Sequence, residues 1–369
     1  MKDIISDRAR LIDASGIRKV FSLAAKLKDP VNFSIGQPDF DVPEQLKQEA
    51  IKAIEAGFNK YTQTAGNEEL VKKITLEISR ETRWENPLVM VTSGVSGGLF
   101  LVFASVINSG DEVIIIDPYF VIYKHIVNML GGRCVFVDSY PDFDLPVEKI
   151  KKAITKKTKL IIINSPCNPS GAVFSGDRLK DLAKIAERNA VAVVCDEIYN
   201  KFSYDGPCPS MTQFYPDTIL LRGFGKSYGM NGWRLGYVAV RDQFKDLMEQ
   251  MNKIQQYTFV CAPSPLQKAA IAAFDCNVSD YISRYKIKRD LVFNGLKDKF
   301  ELNRPAGAFY AFVKAPAGGA TKFCEKAIAN NVLIIPGNVF SEKDTHFRIS
   351  FTASDEKIKK GIDILCSLA

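Results

Sequence analysis

The chain has 369 residues, more than one hydrophobic core usually supports, so we expect two domains. Its composition is that of a globular protein, with 46% hydrophobic and 25% charged residues, and the formal net charge of +7 is mild for this length. The densest lysine run, residues 151–159, contains no interleaved aromatic residues, which favours a solvated helix face and predicts no nucleic-acid partner.

The first predicted element is a helix over residues 15–30, where apolar residues recur at helical spacing before Pro30. The stretch FSIGQPDFDVP, residues 33–43, is typical of an extended link, because its glycine and prolines interrupt regular structure. From Pro43 onward, helical patterns alternate with short apolar runs. This alternation is the main signal for the fold.

Four of these runs contain four to six apolar residues without polar alternation, which predicts strands buried on both faces. They are DEVIIIDP (111–118), TKLIIINSP (158–166), AVAVVCDE (190–197) and DTILLRGFG (217–225). Helical stretches lie between most of them, such as SGDRLKDLAKIAERN with Ser175 as its predicted N-cap. The repetition predicts an α/β fold with a mainly parallel, doubly wound sheet.

After about residue 276 the pattern changes. A helix is followed by GAFYAFVKAP, another helix, VLIIPG and HFRISFTA, a mixture typical of a smaller α+β domain. We expect a large cofactor-binding domain over residues 42–276, and a small domain built from both chain ends, residues 1–41 and 277–369.

Polar clusters follow each of the four predicted strands. These clusters are residues 117–120, 164–171, 196–197 and 223–234. Ligands of open α/β sheets bind just beyond the carboxyl ends of the strands, where such clusters converge. The sequence therefore predicts one binding site at this edge of the sheet.

Lys226, in LRGFGKSYGMNGWRLGY, is the most unusual residue of these clusters. A phosphate-binding loop needs a glycine where this chain has Leu220, and the glycine spacing also misses the dinucleotide fingerprint. Only two histidines, His125 and His346, are present and no H-E-x-x-H motif occurs, so we expect no metal. A lysine can instead form a Schiff base with an aldehyde, above all with pyridoxal 5'-phosphate.

The ring of that cofactor needs a carboxylate near its nitrogen, donors near its hydroxyl and an aromatic face. Asp196 ends a strand, where a charge is costly unless paired, although a helix cap is the alternative interpretation. Tyr199 and Asn168 are candidate donors, and Asn168 alone is typical of a turn. Phe120 is the candidate for stacking, although a single aromatic residue after a strand is more often part of the core.

The phosphate needs backbone amides and a cation. The segment VTSGVSGGLFLVF enters a helix through glycines, so the amides of Gly94, Val95 and Ser96 are candidates. Arg234, eight residues after Lys226, is the candidate cation.

Taken together, FSIGQPDF, KYTQTAG, NSPCNPSG, VVCDEIY, GFGKSYGMNGWRLGY and HFRISFTA make the chain similar, nearly end to end, to the fold-type I, class I/II pyridoxal-phosphate aminotransferases. This is the aspartate aminotransferase-like family. The resemblance implies that Lys226 forms the Schiff base and moves the substrate proton, and that Asp196 pairs with the pyridinium. It also implies that Tyr199 and Asn168 donate hydrogen bonds to the ring hydroxyl and that Phe120 stacks on the ring.

The resemblance further implies that Gly94, Val95, Ser96 and Arg234 hold the phosphate. It implies that Arg348 clamps the substrate α-carboxylate, with help from the Gly36 backbone and Asn168. Tyr61 would reach the phosphate site of a neighbouring subunit, which predicts a homodimer. Many relatives carry serine where this chain has Gly223 and Gly225, whereas here Ser227 follows the lysine.

The predicted function is a ping-pong transfer of an amino group from an L-amino acid, with an aspartate-like donor favoured, to a 2-oxo acid such as 2-oxoglutarate. A second carboxylate on the substrate side chain would need a further cation, for which Arg18 and Lys19 are the candidates considered. A β-lyase, including carbon–sulfur lyases, is the first alternative because it shares the first carbanion. A non-catalytic regulatory module is the second, although residues 1–30 are too few for the DNA-binding domain that usually accompanies one.

The eight cysteines show no C-x-x-C spacing, and several, such as Cys195, sit in apolar runs, which is typical of a reducing compartment. The segment MKDIISDRAR lacks the apolar stretch of a signal peptide, and no run is long enough for a membrane span. We therefore expect a cytoplasmic protein with no membrane partner.

Overall fold

The computed structural model describes residues 4–13, 16–17, 20, 27–82 and 84–369. Most of the helix predicted over residues 15–30 lies outside the described residues, and so do Arg18 and Lys19. The strands are β1 (Val31–Asn32), β2 (Leu88–Ser93), β3 (Glu112–Asp117), β4 (Arg133–Asp138), β5 (Thr158–Asn164), β6 (Ala192–Asp196), β7 (Thr218–Gly223), β8 (Leu235–Val240), β9 (Tyr310–Lys314), β10 (Val332–Leu333), β11 (Ile335–Pro336) and β12 (His346–Ser350).

The α-helices of the described residues, in chain order, are α1 (Asp7–Arg10), α2 (Glu44–Glu55), α3 (Glu68–Glu81), α4 (Gly94–Val106), α5 (Ile122–Met129), α6 (Val147–Ala153), α7 (Gly176–Arg188), α8 (Phe224–Ser227), α9 (Lys245–Thr258), α10 (Ser264–Ala270), α11 (Ser279–Leu296), α12 (Ala320–Ala329) and α13 (Asp355–Leu368). Helix α7 shows how the sequence sets these bounds. The hydroxyl of Ser175 accepts from the Arg178 amide as an N-cap, while Leu179, Leu182 and Ile185 form its buried face. The predicted cap at Ser175 is therefore confirmed.

The central sheet has seven strands in the order β2-β8-β7-β6-β5-β3-β4. Strand β8 runs antiparallel to both neighbours, and every other neighbouring pair is parallel. This confirms the α/β fold with a mainly parallel sheet. The four strands predicted from their apolar runs are β3, β5, β6 and β7, and they lie side by side.

Both faces of the central sheet are covered, which explains the uninterrupted apolar runs. In β3, Ile114 and Ile116 pack into one hydrophobic core, whereas Val113 and Ile115 pack into a second core on the opposite face. Successive side chains of a strand point to opposite faces, so a strand buried on both sides must be apolar throughout. The polar residues that follow these strands are then displayed together at one edge.

A second group of strands is built from both chain ends. Strand β1 pairs in parallel with β10, and β11, β12 and β9 form an antiparallel sheet in that order. A separate core, which includes Phe33, Phe309 and Phe347, packs beneath them. The exact domain limits at residues 42 and 276 stay a prediction. Among the helices of the described part of the chain, none is both long and apolar enough to span a bilayer.

Candidate active site

A cavity of about 270 Å³ opens at the carboxyl edge of the parallel strands. This volume is close to the lower end of the range for small-molecule sites, about 300 Å³. The residues predicted for the site that line it are Gly36, Gly94, Val95, Ser96, Phe120, Asn168, Asp196, Tyr199, Lys226, Arg234 and Arg348. Tyr61 lies apart from them, and its side chain is 83% exposed. The topology therefore brings together residues separated by up to 312 positions.

Lys226 is held on the single turn of α8, directly after β7. Its Nζ donates a hydrogen bond to the carbonyl oxygen of Gly36 at 2.6 Å. Burial, together with the nearby charges of Arg348 and Arg234, lowers the pKa of Lys226 to about 8, with Asp196 opposing the shift. A substantial fraction of the amine is therefore unprotonated near neutral pH, as a nucleophile or base requires.

Asp196 ends β6 and is 2% exposed. Its Oδ2 accepts a hydrogen bond from the Tyr123 hydroxyl at 2.7 Å, and its Oδ1 accepts from the Ile198 amide at 3.2 Å. Burial raises the pKa of Asp196 to about 6, while both hydrogen bonds lower it. The carboxyl group is consequently ionised at neutral pH, although it is buried.

Arg348, on β12, is 1% exposed. Its Nη1 donates to Asn168 Oδ1 at 3.0 Å and its Nη2 to the Ser34 carbonyl at 2.7 Å, whereas Nε has no hydrogen-bond partner in the part of the chain that the structure describes. The guanidinium lies 4.6 Å from the ring centroid of Tyr310 and 4.5 Å from that of Phe340. Among the described residues this buried cation has no carboxylate partner, an arrangement suited to an anion.

Asn164, at the end of β5, connects two of these groups. Its side-chain amide donates to the Asp196 carbonyl at 2.8 Å, and its Oδ1 accepts from the Asn168 amide at 2.8 Å. The hydroxyls of Tyr199 and Tyr310, which line the same cavity, are 2.9 Å apart. The inner part of the cavity is therefore fixed by hydrogen bonds among its own buried side chains.

The outer part of the cavity is formed by the beginning of α4 and by Arg234. The N-cap residue Ser93 makes no side-chain hydrogen bond to the first amides of this helix, which leaves them available to a ligand. Gly94 has φ 65°, and a Cβ placed there would lie 2.8 Å from Arg234 Nη2, so only glycine fits without displacing the arginine. These amides and the guanidinium form a site suited to a phosphate.

Comparison with known proteins identifies this arrangement. The family model for aminotransferase class I and II matches residues 28–365 of the chain. The chain belongs to this family. It is 39% identical over 372 residues to a probable aspartate aminotransferase of Methanocaldococcus jannaschii, covering 98% of this chain and 99% of the relative. An aspartate aminotransferase of Pyrococcus abyssi is 34% identical, covering 97% of this chain and 96% of that relative.

The solved structure of aspartate aminotransferase from Thermus thermophilus with maleate superposes on this aminotransferase with a TM-score of 0.94 and 30% identity, covering all of both chains. The chain is a transaminase, and its cofactor is pyridoxal phosphate. The residues present fit that cofactor: an amine with a lowered pKa, a buried carboxylate and the start of a helix beside a guanidinium line one cavity. Because these relatives are aminotransferases, the lyase alternative is not favoured, and neither is a non-catalytic module.

Three residues of this aminotransferase site were not singled out from the sequence: Tyr123, Asn164 and Tyr310. Tyr123 and Tyr310 belong to apolar stretches, DPYFVIY and GAFYAFVKAP, in which a tyrosine is indistinguishable from core packing. A usable signal existed for both, because a buried tyrosine hydroxyl usually requires a hydrogen-bond partner. The sequence alone does not say which partner that is.

Proposed function

We propose that this aminotransferase transfers the amino group of an aspartate-like L-amino acid to a 2-oxo acid such as 2-oxoglutarate, in two half-reactions of a ping-pong mechanism. The observation that carries the proposal is the convergence of Lys226, Asp196 and Arg348 on one cavity, with the lysine pKa lowered to about 8. This arrangement provides a base, a partner for a protonated ring nitrogen and an anchor for a carboxylate.

Pyridoxal phosphate, when bound, supplies an electron-accepting ring that carries the amino group between the two substrates. Lys226 would hold it through its amine, and the same amine would remove and return the proton at the substrate Cα. Asp196 would pair with the ring nitrogen, while Tyr199 and Asn168 would donate to the ring hydroxyl. Phe120 lines the same cavity and would cover the ring face.

The two ends of the ligand would be held by the two arginines. Arg348 would bind the substrate α-carboxylate, because its buried guanidinium has an unpaired Nε–H and no carboxylate partner in the described part of the chain. Its bond to Asn168 would orient it, and the Gly36 backbone would help to hold the carboxylate; glycine is required there because a Cβ would collide with the Tyr310 hydroxyl. Arg234 and the amides of Gly94, Val95 and Ser96 would bind the phosphate.

The choice of an aspartate-like donor is supported by the names of the relatives and by the dicarboxylate maleate in the Thermus thermophilus structure. A distal carboxylate needs a further cation. Lys226, Arg234 and Arg348 are the cations among the described residues that line the cavity, and each already has a proposed role. Arg18 and Lys19, considered from the sequence, lie outside the described residues.

We also propose a homodimer in which Tyr61 reaches the phosphate site of the second subunit. Tyr61 is 83% exposed and lines a surface depression together with the exposed Phe58; Tyr257 and Phe259 are also exposed, in a segment that is joined to this one by the hydrogen bond from Ser264 to the Lys60 carbonyl. An exposed apolar patch of this kind is typical of an interface.

The shared site can be tested by mixing inactive Lys226→Ala subunits with Tyr61→Ala subunits. Each mixed dimer contains one site in which both Lys226 and Tyr61 are intact, so activity should be restored. No recovery of activity after subunit exchange would contradict the shared site.

A cytoplasmic location is part of the proposal. All eight cysteines are free thiols, and Cys167, Cys195 and Cys324 are buried. Free thiols are typical of a reducing compartment. Localisation of the full-length protein by fractionation would test this.

The decisive experiment is a panel of amino donors with 2-oxoglutarate, in which each 2-oxo-acid product and glutamate are quantified. We expect equal amounts of the two products, with aspartate among the best donors. Release of ammonia and pyruvate instead would indicate β-elimination and contradict the proposal. Absence of glutamate with every donor, from protein that retains the bound cofactor, would also contradict it.

A further inference from the structure

Gln267 is a completely buried polar residue of α10, away from the cavity. Its Oε1 accepts a hydrogen bond from the Asn67 amide at 2.7 Å, and its Nε2 donates to Thr62 Oγ1 at 3.2 Å and to the Ala262 carbonyl at 2.7 Å. A buried side-chain amide is costly unless it is hydrogen-bonded, so these three bonds explain why a glutamine is tolerated there. Two of the three bonds hold one short segment, residues 60–67.

We call residues 60–67 the Tyr61 segment. It lies between α2 and α3 and contains no helix or strand, and it displays the exposed side chain of Tyr61 on the surface. A surface loop has few packing contacts of its own, so hydrogen bonds from the structure beneath it must fix the path of its backbone. Gln267 provides such bonds near both ends of the segment, at Thr62 and at Asn67.

The same helices hold the rest of the Tyr61 segment. Ser264, the first residue of α10, donates from its hydroxyl to the Lys60 carbonyl at 2.6 Å, so both chain neighbours of Tyr61 are bonded to this helix. In the middle of the segment, the completely buried Gln255 of α9 donates to the Thr64 carbonyl at 2.5 Å and to a carbonyl of β2 at 3.0 Å. The segment is therefore held from its first residue to its last.

We propose that Gln267 is a positioning residue that directs Tyr61 toward the phosphate site of the neighbouring subunit. The inference rests on the shared site of the proposed function. An unsupported segment would have to be ordered when the phosphate binds, and that ordering would weaken binding. Hydrogen bonds that fix the backbone beforehand remove this cost. Because the site belongs to the other subunit, a substitution of Gln267 should weaken cofactor binding there and not in its own subunit.

The test uses mixed dimers in which only one subunit can attach the cofactor. Two chains with different affinity tags are co-expressed and purified on both tags in turn. The supplying subunit carries Lys226→Ala and contributes Tyr61, whereas the attaching subunit keeps Lys226. Pyridoxal phosphate is titrated into the apoprotein, and the change in visible absorbance on attachment to Lys226 gives the dissociation constant of that single site.

Gln267→Met keeps the length of the side chain and removes its three hydrogen bonds. In the supplying subunit it should raise the dissociation constant about tenfold, as expected for the loss of a hydrogen bond to a charged group. In the attaching subunit it should leave the dissociation constant within about twofold, because the Tyr61 that it supports faces the site without Lys226. An effect at least as large in the attaching subunit would overturn the proposal, and so would no effect in either.

Thr62→Val is a milder variant that leaves α10 unchanged. It removes the hydroxyl that accepts from Gln267 beside Tyr61. In the supplying subunit it should raise the dissociation constant about threefold, with no change when the attaching subunit carries it. This variant tests the proposal even where Gln267→Met does not fold, and an equal effect in both subunits, or none, would contradict it.

Thr218→Val is the matched control for a general loss of stability. Thr218 is completely buried at the opposite edge of the central sheet, where its hydroxyl donates to the Tyr215 carbonyl at 2.7 Å, and it lines neither the cavity nor the depression at Tyr61. It should lower the Tm of the apoprotein without changing the dissociation constant from either subunit. A loss of affinity from the supplying subunit as large as that of Gln267→Met would overturn the proposal.

Tyr61→Phe separates failure of this inference from failure of the proposed function. In the supplying subunit it should raise the dissociation constant about tenfold. No effect there would show that the shared site, and with it this inference, is wrong. An effect of Tyr61→Phe without one of Gln267→Met would overturn the positioning role alone. With both substitutions in the supplying subunit, the loss should not exceed that of Tyr61→Phe, and additive losses would show that Gln267 does not act through Tyr61.

Discussion

The inner and outer ends of the cavity are built in different ways. At the inner end, Asp196 and Arg348 are almost completely buried, and each is held by hydrogen bonds from other parts of the fold. At the outer end, Arg234 is exposed, and its side chain donates to the nearby Asn231 carbonyl at 3.1 Å. The inner end is pre-organised before any ligand binds. The outer end would bind its ligand through backbone amides and the long, exposed side chain of Arg234.

This difference has an energetic consequence. Electrostatic interactions are strong where water is excluded and weak where it is not. Removing an inner group leaves buried partners without compensation, while removing an outer group is partly compensated by solvent. We therefore expect substitutions at the inner end to affect turnover and substrate binding strongly, and substitutions at the outer end to affect only cofactor affinity.

Lys226→Ala should have the largest effect, because it removes both the attachment of the cofactor and the base. We expect kcat to fall by at least about a thousandfold, with the Tm of the apoprotein nearly unchanged. Single-turnover and steady-state rates with the best donor measure this. Lys201→Ala is the control, since Lys201 is also partly buried but its amine donates to the Tyr228 hydroxyl at 2.9 Å outside the cavity. Near-normal turnover in Lys226→Ala would refute the assignment of the inner end.

Arg348→Lys should have the next largest effect. Lysine keeps the charge but cannot form the planar two-point contact with a carboxylate, and it loses the contacts with Asn168 and Ser34. We expect kcat/KM to fall by about 10- to 100-fold, chiefly through KM.

Arg289→Lys tests whether such a loss is specific to the cavity. Arg289 is fully buried on α11 and donates to the Pro305 carbonyl at 2.9 Å, away from the site. This control should lower Tm without changing KM. An unchanged KM in Arg348→Lys would mean that the inner end does not bind the substrate carboxylate.

Arg234→Gln should have a small effect, because the arginine is exposed. Exposed ion pairs contribute at most about 1 kcal/mol, so the dissociation constant for pyridoxal phosphate should rise by no more than about fivefold. The difference should shrink as salt is added. Equilibrium titration of the apoprotein at two salt concentrations measures both effects, with Arg178→Gln as an exposed control that pairs with Asp144 far from the cavity. A hundredfold rise in the dissociation constant for pyridoxal phosphate would show that the outer end binds its ligand as strongly as the inner end.

The same contrast explains what the sequence could predict. The strands β3, β5, β6 and β7 were recognised because burial on both faces makes their sequences continuously apolar. The antiparallel strand β8 is not predicted from the sequence, because it directly follows the lysine segment and no separate apolar run marks where it begins. Tyr123 and Tyr310 were missed because their partners lie 73 and 111 residues away, and such contacts arise only from the tertiary structure. Sequence patterns therefore identify the inner residues that belong to a recognisable motif, such as Asp196 and Arg348, but not the hydrogen-bond partners that the fold brings to them.

Gly225→Ser should strengthen the outer end. The glycine lines the cavity on the turn of α8, and a Cβ added there would meet nothing closer than Asn231 Oδ1 at 3.6 Å, an ordinary contact. A serine at this position would add a hydroxyl that could donate to the phosphate. We expect about threefold tighter binding of pyridoxal phosphate to the apoprotein. Gly225→Ala adds the same carbon without the hydroxyl, so only the serine variant should bind more tightly; equal affinities of the two variants would show that the phosphate does not lie within reach of this residue.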